Sequence, residues 1–345
     1  MRRGLKIMVM MSLALLLGVA QVAPVLADQA PTNNVGYTVR AVLPSNQENR
    51  QISYFDLRVK PQESQKLAIM IENTSNRSQR FRVSANQAVT NQNGVIDYSQ
   101  LSPKLDSSLK VGIADIFAHD LTQKVTVPAN SQKRVTLSYT MPAQKLRGII
   151  LGGVYVQQLN PVQTKASGKI MINNAYTYAI GLSLQEGATV KPDLKLKQVG
   201  ASQINARNFV TANLQNDQPG ILQGLTVNAR VTQAGQTQTL IQQKQTKMGM
   251  APNSNFNFGI PWGNESLKPG QYTLYLTANA KGQQWQFVRN FTISAPVIKR
   301  LNRHAITPAP QPNYWLYLAL ALLIASLLAI IGYLMYRNRH PRHAK

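Results

Sequence analysis

From Tyr37 to Ile293 apolar residues recur at every second position, in runs of four to eight residues closed off by turn formers. A period of two places alternate side chains on opposite faces of an extended strand, which excludes a helical bundle. Residues 37–43, 54–59, 66–71, 80–84, 124–127, 134–139 and 149–156 read as seven short strands, and 175–184 as an eighth. Lys60-Pro61, Asn73 to Asn76, Asn93-Gly94, Pro128 to Asn130 and Pro142 separate them, through the fixed φ of Pro and the tolerance of Asn and Gly for positive φ. Only 112–122 departs from the pattern: Ile113, Ile116, Phe117 and Asp120 fall at helical spacing and predict one or two helical turns. Gly152-Gly153 lies inside an apolar strand, where it predicts a bulge or a close backbone approach.

A second set of strands follows a loosened stretch at 185–192: 194–199, 209–214, 225–231, 239–243, 255–260, 272–278 and 286–293. The last two form a hairpin in which Tyr272, Leu274 and Leu276 point one way and Trp285, Phe287 and Phe291 pack with them. The expected fold is all-β, two tandem Ig-like antiparallel β-sandwiches over 28–185 and 186–294, plus one C-terminal transmembrane α-helix. Residues 295–313 carry Pro296, Pro308, Pro310 and Pro312 and read as a semi-extended stalk, at most roughly 60 Å long at about 3.1 Å per residue.

Both ends carry sorting signals. Arg2, Arg3 and Lys6 precede the apolar run Ile7 to Ala20, and the small Ala27 suits cleavage between Ala27 and Asp28, making 1–27 a signal peptide. Residues 314–336 hold no charge and, as a helix of about 34 Å, can cross a hydrocarbon core of about 30 Å. Trp315 and Tyr336 stand at its two ends as interfacial aromatics, and Arg337 and Arg339 open a basic tail, 337–345. The signal puts the chain outside and the basic flank puts the tail inside, so the expected topology is single-pass type I, with function residing outside.

Thirty-seven Lys and Arg against 13 Asp and Glu give a net charge of +24. Without the three cations of the leader and the four of the tail, 30 cations face 13 acids, so the exported part remains at +17. It is shared as +8 over 28–185 and +9 over 186–313, which marks no single basic site and suits an anionic surface such as a wall polymer. No nucleic-acid module is present, and the cluster Lys299-Arg300 with Arg303 sits in the stalk. The chain has no Cys, which excludes disulfide frameworks, thiolate zinc sites and cysteine nucleophiles. His119, beside Asp115 and Asp120, is the one histidine of the folded sequence, and no second ligand cluster or nucleophile motif accompanies it. The residues thus give no catalytic site, no metal site and no cofactor, and point to a binding protein, with a wall-active glycan hydrolase or a nonspecific electrostatic binder of anionic polymers as the alternatives. Tyr54, Phe55, Tyr98, Trp262 and Trp285 are the aromatic candidates for holding a sugar ring, whose apolar face and polar rim suit such side chains.

The strings YFDLRVKP (54–61), IENTS (71–75), NGVIDY (93–98), TMP (140–142) and GIILGGVY (148–155) resemble the first domain of the WxL-interacting protein family of Gram-positive bacteria. KPDLK (191–195), LQN (214–216), MAPNSNFNF (250–258) and PWGN (261–264) resemble its second domain. The resemblance covers about residues 37–294. It implies a non-enzymatic surface adaptor, with a peptidoglycan-binding domain followed by a host-binding domain, acting beside WxL-domain surface proteins. Peptidoglycan, WxL-domain proteins and host extracellular proteins are the partners it implies. The chain has no Trp-x-Leu signature and no LPxTG-type sorting signal, so retention at the surface falls to the membrane helix.

Overall fold

The computed structural model describes residues 36–159, 176–263, 267–303 and 314–339. In the first half, β1 (Tyr37–Val42), β3 (Ser64–Asn73) and β8 (Ser131–Thr140) form one sheet in that order. It faces a second sheet ordered β2 (Phe55–Arg58), β10 (Thr177–Glu186), β9 (Gly148–Gln158), β4 (Gln79–Gln87) and β7 (Thr122–Val127). The core between them holds Phe55, Leu57, Leu67, Ile69, Phe81, Val83, Val154, Val156, Leu182 and Leu184, one side chain from every second strand position. Each such burial contributes about 1.5–3 kcal/mol. All pairings are antiparallel except β2 with β10, which run parallel. A parallel pair needs a crossover connection, and the excursion through β3 to β9 supplies it.

The predicted helical turn is α1 (Ile113–Ile116), started by Asp115, whose carboxylate accepts the Gly112 N–H at 2.8 Å. Asp120 accepts the Ser138 N–H at 3.0 Å, a bond that holds its carboxyl below the usual range. Both acids beside His119 thus serve the backbone.

The second sandwich packs β11 (Leu194–Ile204), β12 (Arg207–Asn216) and β15 (Ser254–Pro261) against β14 (Thr239–Met250), β13 (Leu222–Gln233), β16 (Gly270–Ala280) and β17 (Gln283–Ile293). The expected hairpin is β16–β17, with Tyr272 opposite Phe291 and their rings stacked at 5.7 Å.

Of the expected stalk, 304–313 lie outside the described residues, and the described part is not extended. Ala295–Arg303 is a helix, α2, whose Ile298 and Leu301 are buried on the second sandwich. Gln203 Nε2 donates to the Leu301 carbonyl at 2.9 Å and Asn208 Nδ2 to Asn302 Oδ1 at 2.8 Å. Pro296 misdirects the sequence reading, because proline is tolerated in a first helical turn while Ile298 and Leu301, three apart, supply the stripe that docks. The terminal helix, α3 (Tyr314–Arg339), runs three residues beyond the expected Tyr336 and includes Arg337 and Arg339. Its Tyr317–Met335 portion, of mean hydropathy 2.6, is long and apolar enough to cross a membrane, and Trp315 at its start is exposed. Ala27 and Asp28 lie outside the described residues.

The two sandwiches meet through a short hairpin absent from the sequence reading, β5 (Val89–Thr90) with β6 (Ile96–Asp97). Its turn residue Gly94 has φ +65°, and a Cβ there would stand 2.6 Å from Met248 Sδ, so any side chain would strain the turn and push Met248 of the second sandwich aside. Ala88, Leu151 and Ala251 form a small apolar core at this joint, with Ile96, Tyr98, Ile149 and Ile221 packed on it. Polar groups complete it. Ala251 N–H donates to Thr90 Oγ1 (3.0 Å), the Thr90 hydroxyl to Ser254 Oγ (2.6 Å), and Ser254 to the Ala251 carbonyl (2.8 Å), a buried circuit with every donor used. Beside it Asp106 accepts Gln215 Nε2 at 2.7 Å, Asn255 Nδ2, and its own loop's Ser108 N–H at 2.8 Å. Burial works against the charge of Asp106, but the hydrogen bonds from Ser108, Gln215 and Asn255 together outweigh it and hold the carboxyl below its usual range.

Candidate ligand-binding groove

On the outer face of the five-stranded sheet Gly153 of β9 pairs with Gly181 of β10. With no side chains there, two aromatic rings descend onto the backbone. A Cβ at Gly153 would lie 2.9 Å from the Tyr98 ring, and one at Gly181 3.7 Å from Tyr54. The Gly152-Gly153 pair is therefore a close approach and not a bulge, since the register of β9 runs unbroken against both neighbours. Asn86 Nδ2 donates to the Tyr98 carbonyl at 2.8 Å and pins its backbone. Gln47 Nε2 holds the Tyr54 carbonyl at 2.9 Å. Burial, and after it the neighbouring Tyr54, push the Tyr98 hydroxyl above its ordinary value.

These rings stand over a groove of about 780 Å³ that continues around the edge of β10 to β1. Tyr178 closes the far side, its ring edge-on to Tyr37 at 5.2 Å and its hydroxyl donating to the Tyr37 carbonyl at 3.2 Å. Arg40, Asp56 and Gln185 supply polar groups, and Ile149 and Leu151 an apolar floor. Tyr54 is 44% exposed, so its ring is available to a ligand. An apolar floor, three tyrosines and a few convergent polar groups suit a ligand with apolar faces and hydroxylated edges.

The structure thus brings Tyr54 and Tyr98 together and separates the other three candidates from them. Phe55, adjacent to Tyr54 on an alternating strand, points the opposite way and is fully buried, so it is a core residue and no ligand contact. Trp262, 9% exposed, packs edge-on against Tyr272 at 5.5 Å in the second core. Trp285 is half-buried against the same core, and its indole N–H is committed to Asp193 Oδ1 at 2.9 Å. Tyr178 was missed, although the alternation of Tyr176, Tyr178 and Ile180 in AYTYAIGLSL marks one face of a strand.

Residues 37–158 match the model of the WxL Interacting Protein peptidoglycan binding domain, and 167–303 that of the WxL Interacting Protein host binding domain. The chain belongs to the WxL-interacting protein family. No curated protein matches it. Among solved structures it is similar to the YadV chaperone, at 12% identity and a TM-score of 0.29 over 74% of this chain and 100% of that one. It is similar also to the Escherichia coli chaperone DraB, at 12% identity and a TM-score of 0.27 over 73% and 98%. In this WxL-interacting protein the family boundary and the sheet boundary differ. β10 falls inside the host-binding match yet is hydrogen-bonded between β2 and β9 in the first sandwich. The groove therefore draws on both matched segments, with Tyr54 and Tyr98 from the first and Tyr178 and Gly181 from the second.

Proposed function

We propose that this chain is a non-enzymatic surface adaptor, exported by cleavage between Ala27 and Asp28 and held by 314–336 as a type I span, whose Tyr54–Tyr98–Tyr178 groove binds the glycan of peptidoglycan. The observation that carries this reading is the placement of two tyrosine rings over the paired glycines of a sandwich belonging to a peptidoglycan-binding family. Residues 28–185 serve the wall and 186–294 the partner proteins. WxL-domain proteins are the favoured partners over host ligands, because α2 leaves only 304–313 between the second sandwich and the membrane helix. Ten residues reach at most about 35 Å, which keeps that sandwich close to the bilayer.

The experiment is binding of the full chain in nanodiscs to purified sacculi and, separately, to WxL-domain proteins. Tyr54→Ala with Tyr98→Ala reduces sacculus binding at least tenfold and leaves the protein partner unaffected. Retention of sacculus binding by that double variant removes the groove from the function.

A further inference from the structure

We infer that a second binding site, for an anionic saccharide chain, lies in the cleft between the sandwiches. The cleft, about 850 Å³, has the 90–104 segment of the first sandwich as one wall and the outer face of β11, β12 and β15 as the other. The joint fixes both walls, since Asp106 and Thr90 of the first sandwich are bonded to Gln215, Asn255, Ala251 and Ser254 of the second.

Its chemistry is set by amides. Asn213 and Asn257 are cross-strand partners, and Asn213 Nδ2 donates to Asn257 Oδ1 at 2.9 Å and to Asn255 Oδ1 at 3.1 Å, while Asn255 donates onward to Asp106. All these bonds run the same way, so the ladder ends with Asn213 Oδ1 and Asn257 Nδ2 lacking a protein partner among the described residues. A spare acceptor beside a spare donor, each fixed by its other half, matches a hydroxyl group, which both donates and accepts. Gln92, Gln100 and Gln198 line the same cleft and extend this pattern.

Charge selects among hydroxylated ligands. Lys104 projects from one wall and Lys197 from the other, both exposed, and neither is ion-paired within the described residues. No Asp or Glu lines the cleft, and the nearby Asp106 is spent on Ser108, Gln215 and Asn255. Polar groups make up most of the lining, with Val199, Ala201 and the buried Phe256 as its apolar part, which favours a hydroxylated ligand over a lipid chain. Two cations across a bed of neutral amides fit an extended sugar chain carrying carboxylates on more than one residue.

The test is calorimetric titration of the full chain in nanodiscs with trigalacturonic acid and with neutral maltotriose at physiological ionic strength. The acidic trisaccharide binds at least tenfold more tightly. Lys104→Glu with Lys197→Glu weakens it at least tenfold, and Asn257→Ala, at an exposed position, at least threefold. Lys244→Glu, an equal charge change per residue on the exposed surface of β14, and Tyr54→Ala, in the other groove, leave it unchanged, which separates this site from general electrostatics and from the peptidoglycan groove. Equal affinity for the two trisaccharides, no binding of the acidic one, or a loss from Lys244→Glu comparable to that of the double lysine variant would overturn the inference.

Discussion

Gly153 and Gly181 stand directly opposite each other on neighbouring strands, and a tyrosine lies over each of them. The two clearances differ. At Gly153 a methyl group would meet Tyr98 at 2.9 Å, whereas at Gly181 it would meet Tyr54 at 3.7 Å, an ordinary contact. Gly153→Ala should therefore displace Tyr98, cost about 1–3 kcal/mol as an overpacked site and weaken sacculus binding. Gly181→Ala should keep both stability and binding. Thermal melts paired with sacculus pull-downs check the asymmetry, and equal effects at the two sites would contradict the ring placement.

Thr90→Val removes the hydroxyl that receives the buried Ala251 N–H and leaves Ser254 Oγ without its donor. An orphaned buried donor costs about 1–3 kcal/mol. The loss should loosen the joint before it unfolds either sandwich, seen as faster amide exchange at Ala251 with unchanged exchange in β3 and β16.

The joint should also loosen in acid. Because the folded state holds Asp106 below its unfolded value of about 3.9, its contribution is fully present above that pH and is lost as pH falls through the lower, folded value. Asp97, Asp120 and Asp217 are shifted in the same direction, so global acid unfolding alone does not isolate the effect. Small-angle scattering of the folded protein should show increased spread between the sandwiches below about pH 4. In Asp106→Asn that pH step should vanish.

A fragment cut at the family boundary should not fold. Residues 28–160 lack β10, whose Ile180, Leu182 and Leu184 are buried and whose backbone supports both β2 and β9. Three such side chains amount to about 5–9 kcal/mol, comparable with the whole stability of a domain. Residues 28–190 should melt cooperatively by circular dichroism, and a cooperative melt of 28–160 would show β10 to be dispensable.

Strands were legible because burial on one face writes itself into alternation, as in Lys66 to Ile71 and Tyr272 to Ala278. The hairpin β5–β6 was not, since two-residue strands are too short to alternate, although Asn93-Gly94 marked its turn. That omission hid the joint and the support of Tyr98, both of which depend on residues far apart in the chain. Alternation also states that Tyr54 and Phe55 face opposite ways without saying which faces out, so the pattern alone leaves both as candidates. Trp262 and Trp285 show the other limit, because an aromatic that closes a core and one that receives a ligand share the same sequence pattern.

The docked helix α2 has a mechanical meaning. Nine residues occupy about 13.5 Å as a helix and about 30 Å when drawn out, so peeling it from the second sandwich releases roughly 16 Å of slack. The burial of Ile298 and Leu301, the partial burial of Val297 and the side-chain bonds of Gln203, Asn208 and Asn302 hold α2 in place, while the sandwich before it is closed by full ladders of backbone hydrogen bonds. Under a pull applied between α3 and the second sandwich, α2 should give way first. Such a pull should lengthen the connection before it unfolds either sandwich.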